Sequence, residues 1–191
     1  MILDPIAVTF LVIQAFDDLQ VPYFIGGSLA SALYGVARTT ADCDIVAALQ
    51  AEHAHPLVQK LGEAFYADEF AIMDAILQLS SFNLIHLESM FKVDVFIHKP
   101  RPFEMSQFER RRLEILEMKP ERRAYFASAE DTLLAKLEWY RLGGEVSERQ
   151  WRDILGIIKV QAFHLDRVYL NQWAADLGAS DLLERAFAEA E

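Results

Sequence analysis

Apolar residues recur along the chain at two different periods, and the period predicts where helices and strands lie. Between residues 5 and 19 they recur every three or four positions, which predicts a helix with Asp4 as its cap and Pro5 in its first turn. Short apolar runs predict strands at 21–25, 42–49, 82–87 and 91–98. Helical spacing predicts further helices at 28–36, 53–65 and 69–79.

The pattern of apolar residues changes in the second half of the chain. Pro100 and Pro102 interrupt it, and the segment that follows predicts a helix near 106–111 with short strands near 113–117 and 122–127. From Ser128 onward only helical spacing remains. Ser128 and Ser147 are predicted helix caps, and the last two helices are predicted over 166–176 and 180–190. An α/β segment of residues 1–127 is therefore followed by an all-helical segment of residues 128–191.

Composition narrows the class of protein. The chain has 191 residues, of which 53% are hydrophobic, and a formal net charge of -11. It can bury a core, which excludes disorder over most of its length, and its acidity argues against a protein that coats nucleic acid. Cys43 is the only cysteine, so no intrachain disulfide can form. We expect no signal peptide and no membrane span, and hence a cytoplasmic protein.

Two glycines join a predicted strand to a predicted helix at Gly26-Gly27-Ser28. Glycines let a backbone approach a ligand closely, and the amides at a helix N-terminus attract anions, with the Ser28 hydroxyl as a further donor. An ordinary strand-to-helix turn would have the same sequence, so the motif alone leaves both interpretations open.

Three aspartates lie in predicted strands. Side chains alternate along a strand, so Asp42 and Asp44 share one face and Cys43 lies on the other. Neighbouring carboxylates repel unless a cation lies between them, and such oxygen ligands suit Mg²⁺ or Mn²⁺. Asp94 would complete a three-carboxylate site if its strand lies beside that of Asp42 and Asp44. The alternatives are a solvated strand end for the first two and an ion pair of Asp94 with Lys92 or an arginine.

The order of these motifs resembles the nucleotidyltransferase superfamily that includes DNA polymerase β. Within it, Tyr34-Gly35, Arg38-Thr39-Thr40, Ala129-Glu130-Asp131 and Leu134-Ala135-Lys136-Leu137 resemble the AbiEii-type bacterial nucleotidyltransferases. The resemblance implies an α/β (α+β) fold, with a mixed sheet flanked by helices in a catalytic domain of residues 1–127. A helical subdomain of residues 128–191 follows.

The resemblance also implies roles for individual residues. A hydroxyl acceptor would attack the α-phosphate of an NTP, with two Mg²⁺ or Mn²⁺ ions held by the catalytic residues Asp42, Asp44 and Asp94. The nucleotide-binding residues it implies are Gly26, Gly27, Ser28, Arg38 and Lys136. Asp153 is expected to pair with a neighbouring base. The alternative for the whole protein is a catalytically silent nucleotide-binding or interaction module of the same fold, as part of a toxin–antitoxin type system.

A basic stretch bears on the acceptor and the partners. Residues 98–123 hold eight Lys and Arg against five Glu, a net charge of +3 in an acidic chain. This stretch would contact RNA phosphates if RNA is the acceptor; interspersed glutamates favour a solvated surface whose charges pair with each other. The expected partners are an NTP, an acceptor of unknown class and a partner protein or antitoxin, with no membrane.

Overall fold

The computed structural model describes residues 5–37 and 39–190, and these residues form two compact units. Unit 1 contains the described residues of Met1–Gly26 and Thr40–Phe126, and unit 2 those of Gly27–Thr39 and Ala127–Glu191. Because these units are defined by packing, the predicted functional boundary at residue 127 stays a prediction. Over the described ranges, no helix combines the length and the apolar character needed to cross a bilayer.

Unit 1 contains a seven-stranded sheet with the order β3-β4-β5-β2-β1-β7-β6. Its strands are β1 (Tyr23–Ile25), β2 (Asp42–Ala47), β3 (Phe65–Tyr66), β4 (Ser81–His86), β5 (Lys92–Ile97), β6 (Arg112–Met118) and β7 (Glu121–Phe126). The sheet is mixed, since β2 with β5 and β1 with β7 pair in parallel while the other neighbours are antiparallel.

The helices are α1 (Pro5–Asp18), α2 (Gly27–Tyr34), α3 (Ala54–Leu61), α4 (Glu69–Gln78), α5 (Pro102–Glu109), α6 (Ala129–Leu142), α7 (Glu148–Gln161), α8 (Arg167–Asp176) and α9 (Ser180–Ala190). Short 3-10 turns at Ala51–His53 and Gly62–Ala64 flank α3. Helices α1, α3, α4 and α5 belong to unit 1, whereas α2 and α6 to α9 belong to unit 2.

The core of unit 1 follows from strict alternation in its central strands. Every second residue of β2 and of β5 is buried, and the residues between them are only partly buried. The buried set on these strands consists of Cys43, Ile45, Ala47, Val93, Val95 and Ile97. One face of the sheet is thus apolar and covered, while the other carries polar side chains at the start of both strands.

Unit 2 depends on buried polar groups at the start of α6 as well as on apolar packing. The Ser128 hydroxyl accepts a hydrogen bond from the Asp131 amide at 3.1 Å, which is the predicted cap. The fully buried Asp131 carboxylate accepts from the Ser128 hydroxyl at 2.7 Å and from the Tyr169 hydroxyl at 2.6 Å. Glu130 accepts from the Asp166 amide at 3.1 Å, so this helix start is tied to the start of α8.

The predicted fold class is confirmed, and most predicted elements are present with ends within a few residues. Two predictions were wrong in detail. The helix expected near 106–111 spans Pro102–Glu109, because Pro102 occupies the first turn, where a missing amide costs nothing. The predicted helix over 53–65 ends at Leu61, and Phe65–Tyr66 forms the edge strand β3 instead.

A close backbone approach fixes α2 in unit 2. A Cβ atom at Gly35 would lie 3.0 Å from the Ile157 amide nitrogen and 3.1 Å from the Gly156 carbonyl carbon, both in α7. The Gln161 side chain of the same helix donates to the Tyr34 carbonyl at 2.9 Å. The chain therefore needs glycine at position 35 for packing.

We expect Gly35→Ala to lower the free energy of unfolding by about 1–3 kcal/mol, because the new methyl group meets backbone atoms that cannot rotate away. Urea denaturation followed by circular dichroism measures the change. The matched control is Gly156→Ala, whose Cβ would approach only Val36, at 3.4 Å. Equal stability of Gly35→Ala and the wild type would contradict this account of the contact.

Candidate active site

The polar face of the sheet brings together the three predicted aspartates. Strands β2 and β5 are parallel neighbours, with Asp44 paired to Asp94 and Asp42 paired to Lys92. Paired residues on adjacent strands lie about 4.8 Å apart and point to the same face. Three carboxylates and one ammonium group therefore form a two-by-two arrangement, which we call the acidic face (Asp42, Asp44, Lys92 and Asp94).

Two hydrogen-bonded contacts order the acidic face. The Lys92 Nζ lies 2.7 Å from Asp94 Oδ2, and the two side chains are 42% and 15% exposed. The Thr40 hydroxyl donates to Asp42 Oδ1 at 2.9 Å. The ion pair that the sequence left open as an alternative for Asp94 is thus present, on the same face as the other two acids.

The charges of the acidic face act on Lys92. Its hydrogen bond to Asp94 raises the pKa of the Lys92 ammonium, and the negative charges of Asp94, Asp42 and Asp44 act in the same direction. Because the pKa moves further above neutrality, Lys92 stays protonated at physiological pH. Lys92 therefore places one positive charge next to the three acids.

The donor chemistry of the acidic face suits a hard divalent cation, since it offers carboxylate oxygens from adjacent strands. Across the described part of the chain, no group of three or more His, Cys, Asp or Glu side chains is arranged as a metal site. The residue types and their shared face therefore suit such an ion, although the described side chains do not converge as a set of ligands. The assignment of Asp42, Asp44 and Asp94 as metal ligands stays a prediction.

Gly26 lies beside this face within unit 1. Its amide donates to the Asp44 carbonyl at 2.9 Å, which extends the pairing of β1 with β2 by one residue. A Cβ atom at Gly26 would meet only Phe24 Cε2, at 3.8 Å. The packing of the described residues therefore leaves room for a side chain at position 26, and the role of Gly26 in nucleotide binding stays a prediction.

The next residues of the motif belong to unit 2. Gly27 begins α2 and has a φ of 51°, a left-handed conformation that glycine adopts without strain. Ser28 is buried, with 5% of its surface exposed. Arg38 lies outside the described residues, so its predicted role in nucleotide binding stays a prediction.

Lys136 lies on α6, in a buried ion pair within unit 2. Its Nζ is 2.9 Å from Asp153 Oδ2 on α7, and the side chains are 11% and 8% exposed. Asp153 thus pairs with a base, as expected. The contact of Lys136 with a triphosphate stays a prediction, and in this structure its charge is compensated by Asp153.

The basic stretch of residues 98–123 pairs largely with itself, as its glutamates indicated. Arg122 lies 3.2 Å from Glu117, Arg123 donates to Glu121 at 2.8 Å, and Arg101 pairs with Glu104. The Arg111 guanidinium stacks on two aromatic rings, those of Phe108 and Tyr125. These contacts make the stretch part of the structure of unit 1.

Comparisons with known proteins place this geometry among solved structures. A nucleotidyltransferase-like protein from Paracoccidioides brasiliensis superposes with a TM-score of 0.54 at 17% identity, over 94% of this chain and 91% of that one. The antibiotic-resistance factor ANT(2'')-Ia gives 0.53 at 12% identity, over 97% of both chains. The lincosamide antibiotic adenylyltransferase LnuA, lincomycin-bound, gives 0.51 at 17% identity, over 80% of this chain and 95% of that one.

The chain has a nucleotidyltransferase fold. No family model matches the sequence, and no curated protein matches it. At these identities the likeness concerns the fold alone. The closer resemblance to AbiEii-type proteins is untested and stays a prediction.

Lys92 is the residue of this face that the sequence motifs do not assign to the site, since they offer it only as a partner for Asp94. Its position two residues before Asp94 in a strand already placed it on the same face, and that spacing is the signal that could have identified it.

The opposite face of β2 buries Cys43 completely, between Asp42 and Asp44 in sequence. Burial is the main reason that the pKa of the Cys43 thiol is raised, and the nearby Asp44, Asp42 and Asp94 charges raise it further. A thiol must ionise and reach solvent to react, so Cys43 reports on the integrity of this sheet.

We expect Cys43 in the folded protein to react with a thiol reagent such as Ellman's reagent at least about 100-fold more slowly than in urea, because reaction requires opening of the sheet. The raised pKa predicts no ionised thiol in the folded state up to pH 9. The absorbance of the released dye over time measures the rate at pH 7 and pH 9. Rapid labelling of the folded protein would contradict the buried position of β2.

Proposed function

We propose that the protein is a metal-dependent nucleotidyltransferase, which moves NMP from an NTP to a hydroxyl acceptor and releases pyrophosphate. The observation that carries the proposal is the register of β2 with β5, which puts Asp42, Asp44 and Asp94 on one polar face. Three acids in adjacent register repel each other, so the arrangement is costly unless cations use it. The nucleotidyltransferase fold supports the same proposal.

The proposed step is a displacement at the α-phosphate. The acceptor oxygen forms a bond to the α-phosphorus, the bond from that phosphorus to the bridging oxygen breaks, and pyrophosphate leaves with the bonding electrons. The proton of the acceptor hydroxyl passes to the Asp94 carboxylate and then to solvent. The side chain of Asp94 keeps 15% of its surface exposed, which leaves it a path to solvent.

Asp42, Asp44 and Asp94 would hold two Mg²⁺ or Mn²⁺ ions. When bound, such ions neutralise developing charge on the phosphate and lower the pKa of a coordinated hydroxyl. The hydrogen bond from Thr40 fixes the Asp42 carboxylate and so orients one ligand before any ion arrives.

The proposed nucleotide contacts are Gly26, Gly27, Ser28, Arg38 and Lys136. Gly26 contributes space beside Asp44, and Gly27 contributes an amide at the start of α2, where helix amides favour phosphate. Lys136 would supply positive charge after release from Asp153, which holds it at 2.9 Å.

The acceptor is proposed only as a hydroxyl compound, which includes RNA, a protein or a small molecule. One of the similar structures is described as a complex with adenylyl-2''-tobramycin, and another as lincomycin-bound. Those names justify antibiotics among the acceptors to be tested. The alternative function is a silent nucleotide-binding module with a partner protein or antitoxin, and the assay below separates it from an active enzyme.

We expect the protein to transfer label from at least one of four α-labelled NTPs to an acceptor in the presence of Mg²⁺. Cell extract, total RNA and an aminoglycoside and lincosamide panel serve as acceptors. Asp42→Asn, Asp44→Asn and Asp94→Asn are each expected to lower the rate at least about 1000-fold, because each removes a charged metal ligand. Label in the product is measured after separation by electrophoresis or thin-layer chromatography.

The matched control for that assay is Asp74→Asn, an exposed aspartate on α4 of the same unit. It is expected to retain the wild-type rate. Absence of transfer by the wild type with every acceptor, together with retained Mg²⁺-dependent NTP binding, would favour the silent module over the enzyme.

We expect Gly26→Ala to weaken NTP binding at least about tenfold while the free energy of unfolding stays within about 0.5 kcal/mol of the wild type. The new methyl group fits the protein but fills the space proposed for the ligand. Titration with a fluorescent NTP analogue measures binding, and urea denaturation measures stability. A loss of stability with unchanged binding would show that Gly26 is required for packing alone.

A further inference from the structure

We propose that Lys92 is a built-in counter-cation of the acidic face, which must leave Asp94 before a divalent metal ion binds there. The inference rests on the proposed function to the extent that it takes Asp42, Asp44 and Asp94 as metal ligands. It adds a residue that controls when and how tightly the metal binds.

Two contacts of Lys92 define this role. The Lys92 Nζ lies 2.7 Å from Asp94 Oδ2, and in the strand register Lys92 is the direct neighbour of Asp42. Lys92 is therefore adjacent to one acid across the strands and to another along its own strand. Among the described residues of this two-by-two arrangement it supplies the only positive charge.

The Asp94 carboxylate cannot bind the Lys92 ammonium and a divalent ion at the same time without repulsion between the two cations. A magnesium ion binds carboxylate oxygen at about 2.1 Å, so an ammonium group held against the same carboxylate would be a like charge only a few ångström away. Binding of the metal at Asp94 must therefore displace the ammonium or accept the repulsion. Either way, Lys92 lowers the affinity of the face for metal.

The side chain of Lys92 is suited to such an exchange. It is 42% exposed, whereas its partner Asp94 is 15% exposed, so the ammonium can move to solvent while the carboxylate stays in place. The four-carbon stem of lysine allows this movement without a change in the strand. In the absence of metal, the same ammonium offsets the repulsion of the three acids and stabilises the sheet.

Lys60 provides a matched control in the same unit. Its Nζ lies 2.8 Å from Asp18 Oδ2, with side chains 36% and 63% exposed, so it is a lysine–aspartate pair of the same length away from the acidic face. Loss of this pair changes the net charge of the protein by the same amount. It leaves the proposed metal ligands untouched.

The test is the affinity for Mn²⁺, measured by electron paramagnetic resonance of the free ion and by calorimetry without nucleotide. Lys92→Gln is expected to bind Mn²⁺ at least about threefold more tightly than the wild type, because a competing positive charge is gone. Lys60→Gln and the charge-preserving Lys92→Arg are expected to bind with wild-type affinity. In EDTA, Lys92→Gln is expected to melt at a lower temperature than the wild type. Addition of Mn²⁺ is expected to raise the melting temperature of Lys92→Gln by more than it raises that of Lys60→Gln.

Equal or weaker Mn²⁺ binding by folded Lys92→Gln would overturn the inference, and so would the absence of Mn²⁺ binding by both proteins. Circular dichroism establishes that the variant is folded. If Lys92→Gln is not folded, Lys92→Met, which also removes the charge, replaces it under the same criterion. Label transfer is scored separately. If Lys92→Gln binds Mn²⁺ more tightly but the wild type transfers no label, only the proposed enzyme activity is contradicted. If the wild type transfers label but the Mn²⁺ affinity of Lys92→Gln is unchanged, only the role of Lys92 is contradicted.

Discussion

The parallel pairing of β2 with β5 is the constraint on which the site depends. With Asp44 opposite Asp94, alternation sends the six buried residues of the two strands to the covered face and their three acids to the other. A shift of one residue in either strand would bury its aspartates among apolar side chains, at a cost of several kcal/mol for each unpaired charge. The burial of the core therefore holds the acids together, and no contact between the acids themselves is needed.

This constraint explains why the acidic face could be predicted from the sequence. Asp42, Cys43 and Asp44 alternate within an apolar run, so the shared face of the two acids follows from strand geometry. The sequence could not establish that β5 is the neighbour of β2, because strand order depends on contacts between distant segments. The prediction for Asp94 was therefore conditional on that order, and the structure supplies the order.

Other features of the structure could not be predicted from the sequence, and the reasons are again physical. Gly35 looks like any glycine after a helix, and the structure shows why it is required: a Cβ there would lie 2.9 Å from the Ser31 carbonyl oxygen of α2 and 3.0 Å from the Ile157 amide nitrogen of α7. Pro102 was interpreted as a break, although a proline is as compatible with the first turn of a helix as with a loop. From the sequence, an ion pair with Lys92 and membership of a three-carboxylate site are competing explanations for Asp94. In the structure, Lys92 lies on the acidic face beside the three acids, so the two explanations hold together.

These contacts show where some of the charged groups behind the chain's net charge of -11 lie. In the basic stretch of residues 98–123, Arg101, Arg122 and Arg123 pair with glutamates of the same stretch and Arg111 stacks on aromatic rings, so their charges act mainly within unit 1. Within the acidic face itself, three carboxylates meet the one ammonium group of Lys92. In the mechanism that we propose, divalent ions bound at these carboxylates would reverse the sign of the local charge where a triphosphate enters. Metal binding would then precede or accompany nucleotide binding, and any residue that tunes the first step, as we infer for Lys92, would also tune the second.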